Sequence, residues 1–456
     1  MIHLSRIKVL KNCPPSSGRY ILYWMQASQR SEYNHALEYA IEKANELNKP
    51  LVVFFGITDK FPEANQRHYS FMFEGLCETA SALNKRGIQM IVRHVSPEKG
   101  AFELSQDAVL TITDRGYCKI QKKWRFWLAK KICGPLIQVE SDVIVPVETA
   151  SPKEEYSAGT FRPKLQKLLH AYLVPLRKRT LRRESVSLTL ETLNPQDMES
   201  ILQQLNIDTD VKRVKEFKGG TASAKKRLLY FIREKSNTLD KLRNDPSLDY
   251  LSNMSPYLHF GQISPLYIAL QVNKANPKDS PVYLEELIVR RELGINFVHY
   301  NSHYDCFEGL PSWARKTLLD HKNDKKEYTY SLDSLEKANT HDLYWNAAQN
   351  EMVLGGKMHG YMRMYWGKKI LEWSPGPEEA FLRAIYLNNK YSLDGRDPNG
   401  FSGVAWCFGK HDRAWKERPI FGKVRYMNAK GLERKFDMNE YVKKINQLQF
   451  RYNLKT

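Results

Sequence analysis

The chain has 456 residues, 42% hydrophobic and 27% charged, the composition of a globular protein with room for at least two cores rather than of a disordered or fibrous chain. Its 70 Lys and Arg against 51 Asp and Glu leave a formal net charge of +19, which favours a polyanionic partner. No apolar run reaches the ~18–20 residues of a membrane span, and the stretch up to Pro15 is broken by Arg6, Lys8 and Lys11, unlike a signal peptide. The 6 cysteines are scattered without a C-x-x-C pair, which argues against a zinc ribbon or a disulfide framework. The expected setting is therefore reducing and intracellular, cytoplasmic or nuclear and not secreted, with no metal.

Along the chain, β-branched and aromatic runs at 20–24, 51–55, 89–93, 109–112 and 143–147 read as strands. Between them, 32–48 carries Tyr33, Leu37, Ile41 and Ala44 on one helical face, and 68–86 carries Met72, Leu76, Ala80 and Leu83, followed by Gly87 as a stop. Strands separated by helices predict a parallel sheet covered on both faces. The pattern loosens from about Thr149 to Gly220. There Arg162, Lys164, Lys167, Arg177, Lys178, Arg179, Arg182 and Arg183 form a basic run, read equally as a solvated linker or a nucleic-acid contact. Helical patterns then dominate at 224–235, 265–274, 283–299, 340–354, 357–373 and 377–391. The expected class is α/β plus all-α: a Rossmann-like parallel-sheet domain over 1–149, a connector over 150–224 and an all-helical domain over 225–456.

Four segments invite chemistry. The string Asp394-Gly-Arg-Asp-Pro-Asn-Gly400 is a tight loop with two carboxylates and an arginine, as suited to a ligand as to a plain turn. Ser252-Asn-Met-Ser255 precedes Pro256 at a helix start, where free N–H groups accept a phosphate, although serine caps are common without one. In 357–373, Trp366 and Trp373 are seven residues apart, ~10.5 Å along one face; that suits electron hopping or, more commonly, packing. Arg363 in the same apolar stretch requires a buried partner, and the Asp394 loop supplies the natural one. Between Trp406 and Lys435, Trp406, Phe408, Trp415 and Phe421 alternate with basic residues, the pattern of a cleft for a phosphate backbone and a displaced base.

Taken in order, Tyr23-Trp-Met, Arg243-Asn-Asp-Pro, Ser252-Asn-Met-Ser-Pro-Tyr-Leu-His-Phe-Gly261, Glu286-Leu-Ile-Val-Arg-Arg-Glu292, Lys357-Met-His-Gly-Tyr-Met-Arg-Met-Tyr-Trp366, Asp394 to Gly400 and His411-Asp-Arg-Ala-Trp415 resemble the photolyase/cryptochrome superfamily, most closely the class II cyclobutane pyrimidine dimer photolyases. The resemblance implies an N-terminal antenna domain and a helical domain holding FAD, active when fully reduced. It also implies light-driven electron transfer to a cyclobutane pyrimidine dimer flipped out of UV-damaged DNA. A second antenna chromophore, deazaflavin or folate, occurs in the superfamily, and a monomer is expected.

Carried over position by position, flavin contacts fall on Ser252, Asn253, Met254, Ser255, Gln262, Arg363, Asp394, Gly395 and Arg396, with Asn388 at flavin N5. Lesion contacts fall on Arg243, Asn244, Glu286, Met364 and Trp406, and Arg413 and Trp415 fill the gap in the duplex. A carboxylic acid at Glu286 is expected to stabilise the reduced dimer if burial raises its pKa. For photoreduction the class II pattern uses Trp366 beside the flavin and Trp345 toward the surface, with Trp373 and Tyr330 as accessories; Trp24, Trp124, Trp127 and Trp313 are read as packing. Two departures stand out: Val289 and Arg290 replace a lesion-stacking tryptophan, and Leu239 or a neighbour replaces a flavin-contacting tyrosine. The rival readings are a cryptochrome-like blue-light receptor without repair activity and a (6-4) photolyase, which requires a histidine pair at the lesion. The lesion constellation and the short stretch after the helical part favour dimer repair.

Overall fold

The computed structural model describes residues 2–278 and 280–453. Six strands form one sheet in the order β1-β6-β5-β2-β3-β4: β1 Ile7–Lys11, β2 Tyr20–Trp24, β3 Leu51–Ile57, β4 Gln89–His94, β5 Ala108–Asp114 and β6 Leu136–Val139. β2 to β6 pair in parallel, whereas β1 runs antiparallel to β6 at the edge. Alternation along the strands sends successive side chains to opposite faces. Ile21, Tyr23, Val53 and Phe55 meet the apolar sides of α1 (His35–Glu46) and α2 (Gln66–Asn84). Tyr20, Leu22, Trp24, Val52 and Phe54 meet α3 (Pro97–Ser105) and α4 (Lys119–Lys131) on the other face.

The strand expected at 143–147 is absent, and β6 lies just before it. Val143, Ile144 and Val145 are buried as a strand would be, but side chains satisfy their backbone: the Ile144 and Val145 N–H groups donate to Glu292, and Arg6 donates to the Val143 and Ile144 carbonyls. β1 escaped the sequence reading because its residues are half-exposed and alternate with lysines.

The segment after β6 crosses the surface through the helices Ala158–Tyr172 and Met198–Gln204. Its loops cover the β4 edge, where Thr192 accepts from the Val92 N–H and the Leu193 N–H donates to Val92. Much of the basic run is committed internally: Arg162 pairs with Glu285, Lys164 with Glu155, Arg179 with Glu42, and Arg183 donates to the Asn48 carbonyl. That favours the linker reading over a nucleic-acid contact for those residues.

From Thr221 onward the described chain is helical. Its core is built on Leu343–Gly355, Gly360–Trp373, Pro377–Tyr391 and Pro398–Cys407. Gly356 at φ 68° ends the first of these in the left-handed conformation and turns the chain into the second. The continuous helix expected at 283–299 is instead Ser280–Leu284, a π-helical turn Glu285–Arg290 and Arg291–Tyr300. Such turns re-aim side chains and recur at functional sites. This one presents both Glu286 and Arg290 to the cavity described below.

Candidate flavin and lesion cavity

A 620 Å³ cavity opens among the helices, within the ~300–1,000 Å³ of small-molecule and cofactor sites. Ser252, Asn253, Met254 and Ser255 line one side, Lys357, Arg363 and Asp394 the floor, and Arg243, Asn244, Glu286, Met364 and Trp406 the remaining wall. The two groups of residues expected for flavin and for lesion thus share one space. Leu239 also lines it, so the departure there leaves an apolar contact rather than a gap.

Charge is arranged around Asp394. Its carboxylate lies 3.3 Å from Arg363 Nη2 and 3.6 Å from Lys357 Nζ, and Lys357 Nζ donates to Ser255 Oγ at 2.6 Å. Burial alone would raise the Asp394 carboxyl, but the two cations outweigh it and hold it well below the usual range. Burial lowers the Lys357 ammonium. Two wall groups, Arg243 Nε and His359 Nε2, are buried without a hydrogen-bond partner. His359 Nδ1 accepts from the Tyr361 N–H, so Nε2 carries the proton, on the side of the Arg243 backbone. Burial, with Lys444 and Lys357 nearby, pushes His359 down to about 4, keeping it neutral. Gly360 and Gly403 face open space: a Cβ on either would meet nothing within 4 Å. Unmet donors, cations and glycines that leave room for a flat ring fit a bound dinucleotide such as FAD.

Other expected site residues fall outside the cavity lining. Gln262 is fully buried as a clamp, accepting from the Gly220 N–H at 2.7 Å and donating to the Phe71 carbonyl at 3.0 Å. Gly395 is required by the turn, since a Cβ there would stand 2.7 Å from the Asn388 carbonyl oxygen. Asn388 lies one layer back, its Nδ2 3.1 Å from where a Gly400 Cβ would stand, with Gly400 itself in the wall. Arg396, at φ 62°, turns away to bond His68 Nε2 and the Asn389 carbonyl. It faces a second cavity at the carboxyl ends of β2 and β3, lined also by His68, His259, Phe61 and Trp124; Trp124 packs against the sheet core as expected. Glu286 is not buried as expected; its side chain is 49% exposed and pairs with Arg243 at 2.7 Å.

At the mouth, cations and indoles alternate. Arg425 lies 5.6 Å from the Trp406 ring and 4.3 Å from Trp415, and Arg413 lies 5.2 Å from Trp415, while the fully buried Lys368 holds its Nζ 5.2 Å from Trp406 from within. Sequence reasoning did not single out Lys357 or Arg425, and weighed His359 only with His259 as a (6-4) histidine pair. Lys357 and His359 stand inside a quoted motif, and only folding shows that Arg425 bridges both tryptophans.

Behind the floor the aromatics form a chain. Trp366 and Trp345 stack at 6.5 Å and 5°, Trp345 meets Trp373 at 5.7 Å, and Trp373 meets Tyr330 at 5.4 Å. Trp345 is 0% exposed, so it is an interior link rather than the outer end; Tyr328, 40% exposed, lies beyond.

Residues 21–208 match the family described as DNA photolyase. Over 449 residues, 98% of this chain and 99% of the relative, the sequence is 56% identical to the deoxyribodipyrimidine photo-lyase of Methanothermobacter thermautotrophicus. The chain belongs to the DNA photolyase family. Two solved structures share the family's fold at low identity. A bacterial class III photolyase from Agrobacterium tumefaciens superposes with a TM-score of 0.73 at 16% identity, covering 94% of this chain and 87% of that one. The archaeal photolyase of Sulfolobus tokodaii, described with two FAD molecules, gives 0.70 at 16%, covering 93% and 89%.

Proposed function

We propose that this protein is a light-driven deoxyribodipyrimidine photo-lyase of class II that binds FAD in the 620 Å³ cavity and splits cyclobutane pyrimidine dimers in UV-damaged DNA. One observation carries the reading: in a chain 56% identical to a protein of that name, six residues assigned to flavin (Ser252, Asn253, Met254, Ser255, Arg363 and Asp394) and five assigned to the lesion (Arg243, Asn244, Glu286, Met364 and Trp406) line one cavity. Residues 1–149 serve as the antenna part, 150–224 as connector and 225–456 as the catalytic part.

Reduced FAD, when bound, would supply under blue light the single electron that opens the dimer's two carbon–carbon bonds and would take it back once they have broken. The chain's own residues do the rest. Ser252, Ser255 and Lys357 bind phosphate oxygens, and Arg363, neutralised by Asp394, orients the ring end. Arg243 Nε–H gains the acceptor it lacks. Arg413, Trp415, Arg425 and Trp406 track the backbone and stack on bases at the mouth, and the docked DNA excludes water from Glu286 and Met364. Glu286 must then turn from Arg243 toward the base. His259 bonds Asp397 and lines the other cavity while His359 lines this one, which gives the (6-4) reading no histidine pair. The second cavity holds only 100 Å³, too little for a deazaflavin or folate as its walls stand, so no antenna step is assigned to it.

Purified protein illuminated with blue light and a thymine-dimer oligonucleotide should carry a flavin spectrum and lose dimer only in the light. A flavin-free protein overturns the reading, and flavin without repair moves it to the blue-light receptor.

A further inference from the structure

The link of the aromatic chain just inside Tyr328 is a tyrosine whose proton already has a destination. Tyr330 Oη accepts a hydrogen bond from the His341 backbone N–H at 3.0 Å. Its own hydroxyl proton is therefore free to point at His341 Nδ1, 2.6 Å away. Nδ1 is then the acceptor nitrogen, which places the ring proton on Nε2. The pair is held firmly: the Tyr330 N–H donates to the Trp373 carbonyl at 3.2 Å, Arg383 donates to the Tyr330 carbonyl at 2.7 Å, and Tyr328 stacks on His341 at 3.7 Å. His341 and Tyr328 line a wide groove of 1,450 Å³ open to solvent, which Trp373 also reaches.

We propose that His341 is the proton acceptor that makes Tyr330 the terminal electron donor of the relay. Bound flavin, excited by light before it is fully reduced, would take one electron from Trp366, and the vacancy passes through Trp345 to Trp373, which takes an electron from Tyr330. The phenolic proton passes from Tyr330 Oη to His341 Nδ1 as the O–H bond breaks and an N–H bond forms. Trp373 is restored, Tyr330 becomes a neutral phenoxyl radical and His341 an imidazolium. A thiolate reductant entering through the groove afterwards returns one electron, and His341 returns the proton.

The surroundings favour this outcome over a charge resting on Trp373. The Lys369 ammonium lies 5.5 Å from the Trp373 ring and opposes a second positive charge there, partly offset by Glu372, with which it pairs at 2.6 Å. Proton transfer leaves both Trp373 and Tyr330 neutral and moves the charge to an imidazole at the solvent edge. Without an acceptor, a phenol losing an electron must keep an acidic proton, which is costly, so a tryptophan would remain the end of the chain. His341 thus acts on the reacting O–H itself.

The proposal rests on the photo-lyase reading, and time-resolved absorption with electron paramagnetic resonance after a blue flash on the holoenzyme tests the two separately. A tryptophan radical should give way to a tyrosyl radical, more slowly in D2O. Tyr330→Phe should leave only the tryptophan signal. His341→Gln should slow tyrosyl formation by about a hundredfold, the scale of a positioned proton acceptor, and in His341→Gly added imidazole, reaching the site through the groove, should restore it. A tyrosyl signal undiminished in His341→Gln, or no tyrosyl signal in the unaltered protein although tryptophan radicals form, overturns the role of His341 alone. No flavin-driven tryptophan radical at all overturns the photo-lyase reading together with it.

Discussion

At the scale of single residues, the cavity floor depends on one carboxylate balancing two cations. In Asp394→Asn the Arg363 and Lys357 cations would face each other with no anion between them, in a site where side-chain exposure is 17%, 17% and 9% for arginine, lysine and aspartate. Removing one partner of a buried ion pair costs about 3–5 kcal/mol. Urea unfolding should show a loss of that order, with weaker flavin retention; a variant as stable as the parent would contradict the account. Gly403 makes a complementary test. Nothing lies within 4 Å of a Cβ there, so Gly403→Leu fills cavity and not protein. In the interior of Pro398–Cys407, replacing glycine should also gain about 0.5–1 kcal/mol of helix stability. The expected result is a protein that melts no lower in the absence of cofactor yet purifies without flavin. At this scale the sequence was informative where chemistry forces a partner, as for Arg363, whose charge in an apolar stretch demanded an acid. It was silent where only direction matters: Arg396 and Gln262 stand in the right motifs but point elsewhere, because a left-handed backbone angle and a pair of backbone hydrogen bonds turn them away.

At the scale of elements, Gly360–Trp373 joins cofactor and relay. Its first turns place Tyr361, Arg363 and Met364 on the cavity, and three residues after Arg363, Trp366 stacks on Trp345 behind it. Trp366→Phe should abolish flavin photoreduction while chemically reduced protein still repairs dimers under light. The substitution also strands Gln349 Oε1, which now accepts from Trp366 Nε1–H at 2.9 Å, so a stability loss of about 1–3 kcal/mol should accompany it. Photoreduction that survives intact would break the assigned path. Elements with a strong period were legible: 20–24 and 377–391 coincide with an observed strand and helix. The misread ones share a cause. At 143–147 burial imitates a strand while Glu292 and Arg6 take the place of a neighbouring strand. At 285–290 a π-helical turn keeps an apolar pattern that looks like ordinary helix.

For the whole molecule, buried histidines in both the sheet and the helical parts set its response to acid. Burial, reinforced by neighbouring arginines or lysines, lowers His35 and His68 far below the ordinary value, His299 to about 3, and His359 and His411 to about 4. Below about pH 6.5 the unfolded chain takes up protons that these folded imidazoles refuse, so stability falls as pH falls. At pH 5 His299, His359 and His411 each account for about 2 kcal/mol, and His35 and His68 act in the same direction. Buried carboxyls pull the other way. Glu292, raised to about 7, and Asp114, raised to about 6, are more protonated in the folded state and gain stability on acidification, about 4 kcal/mol between pH 7 and 5. Glu63 and Glu351, also raised by burial, add to that side. The histidines outnumber the carboxyls, so the thermal midpoint should drop by several degrees between pH 7.5 and 5. His359→Gln, which cannot take a proton, should flatten part of that fall. A midpoint that holds steady or rises over the same range would mean that the carboxyls, not the histidines, govern the interior.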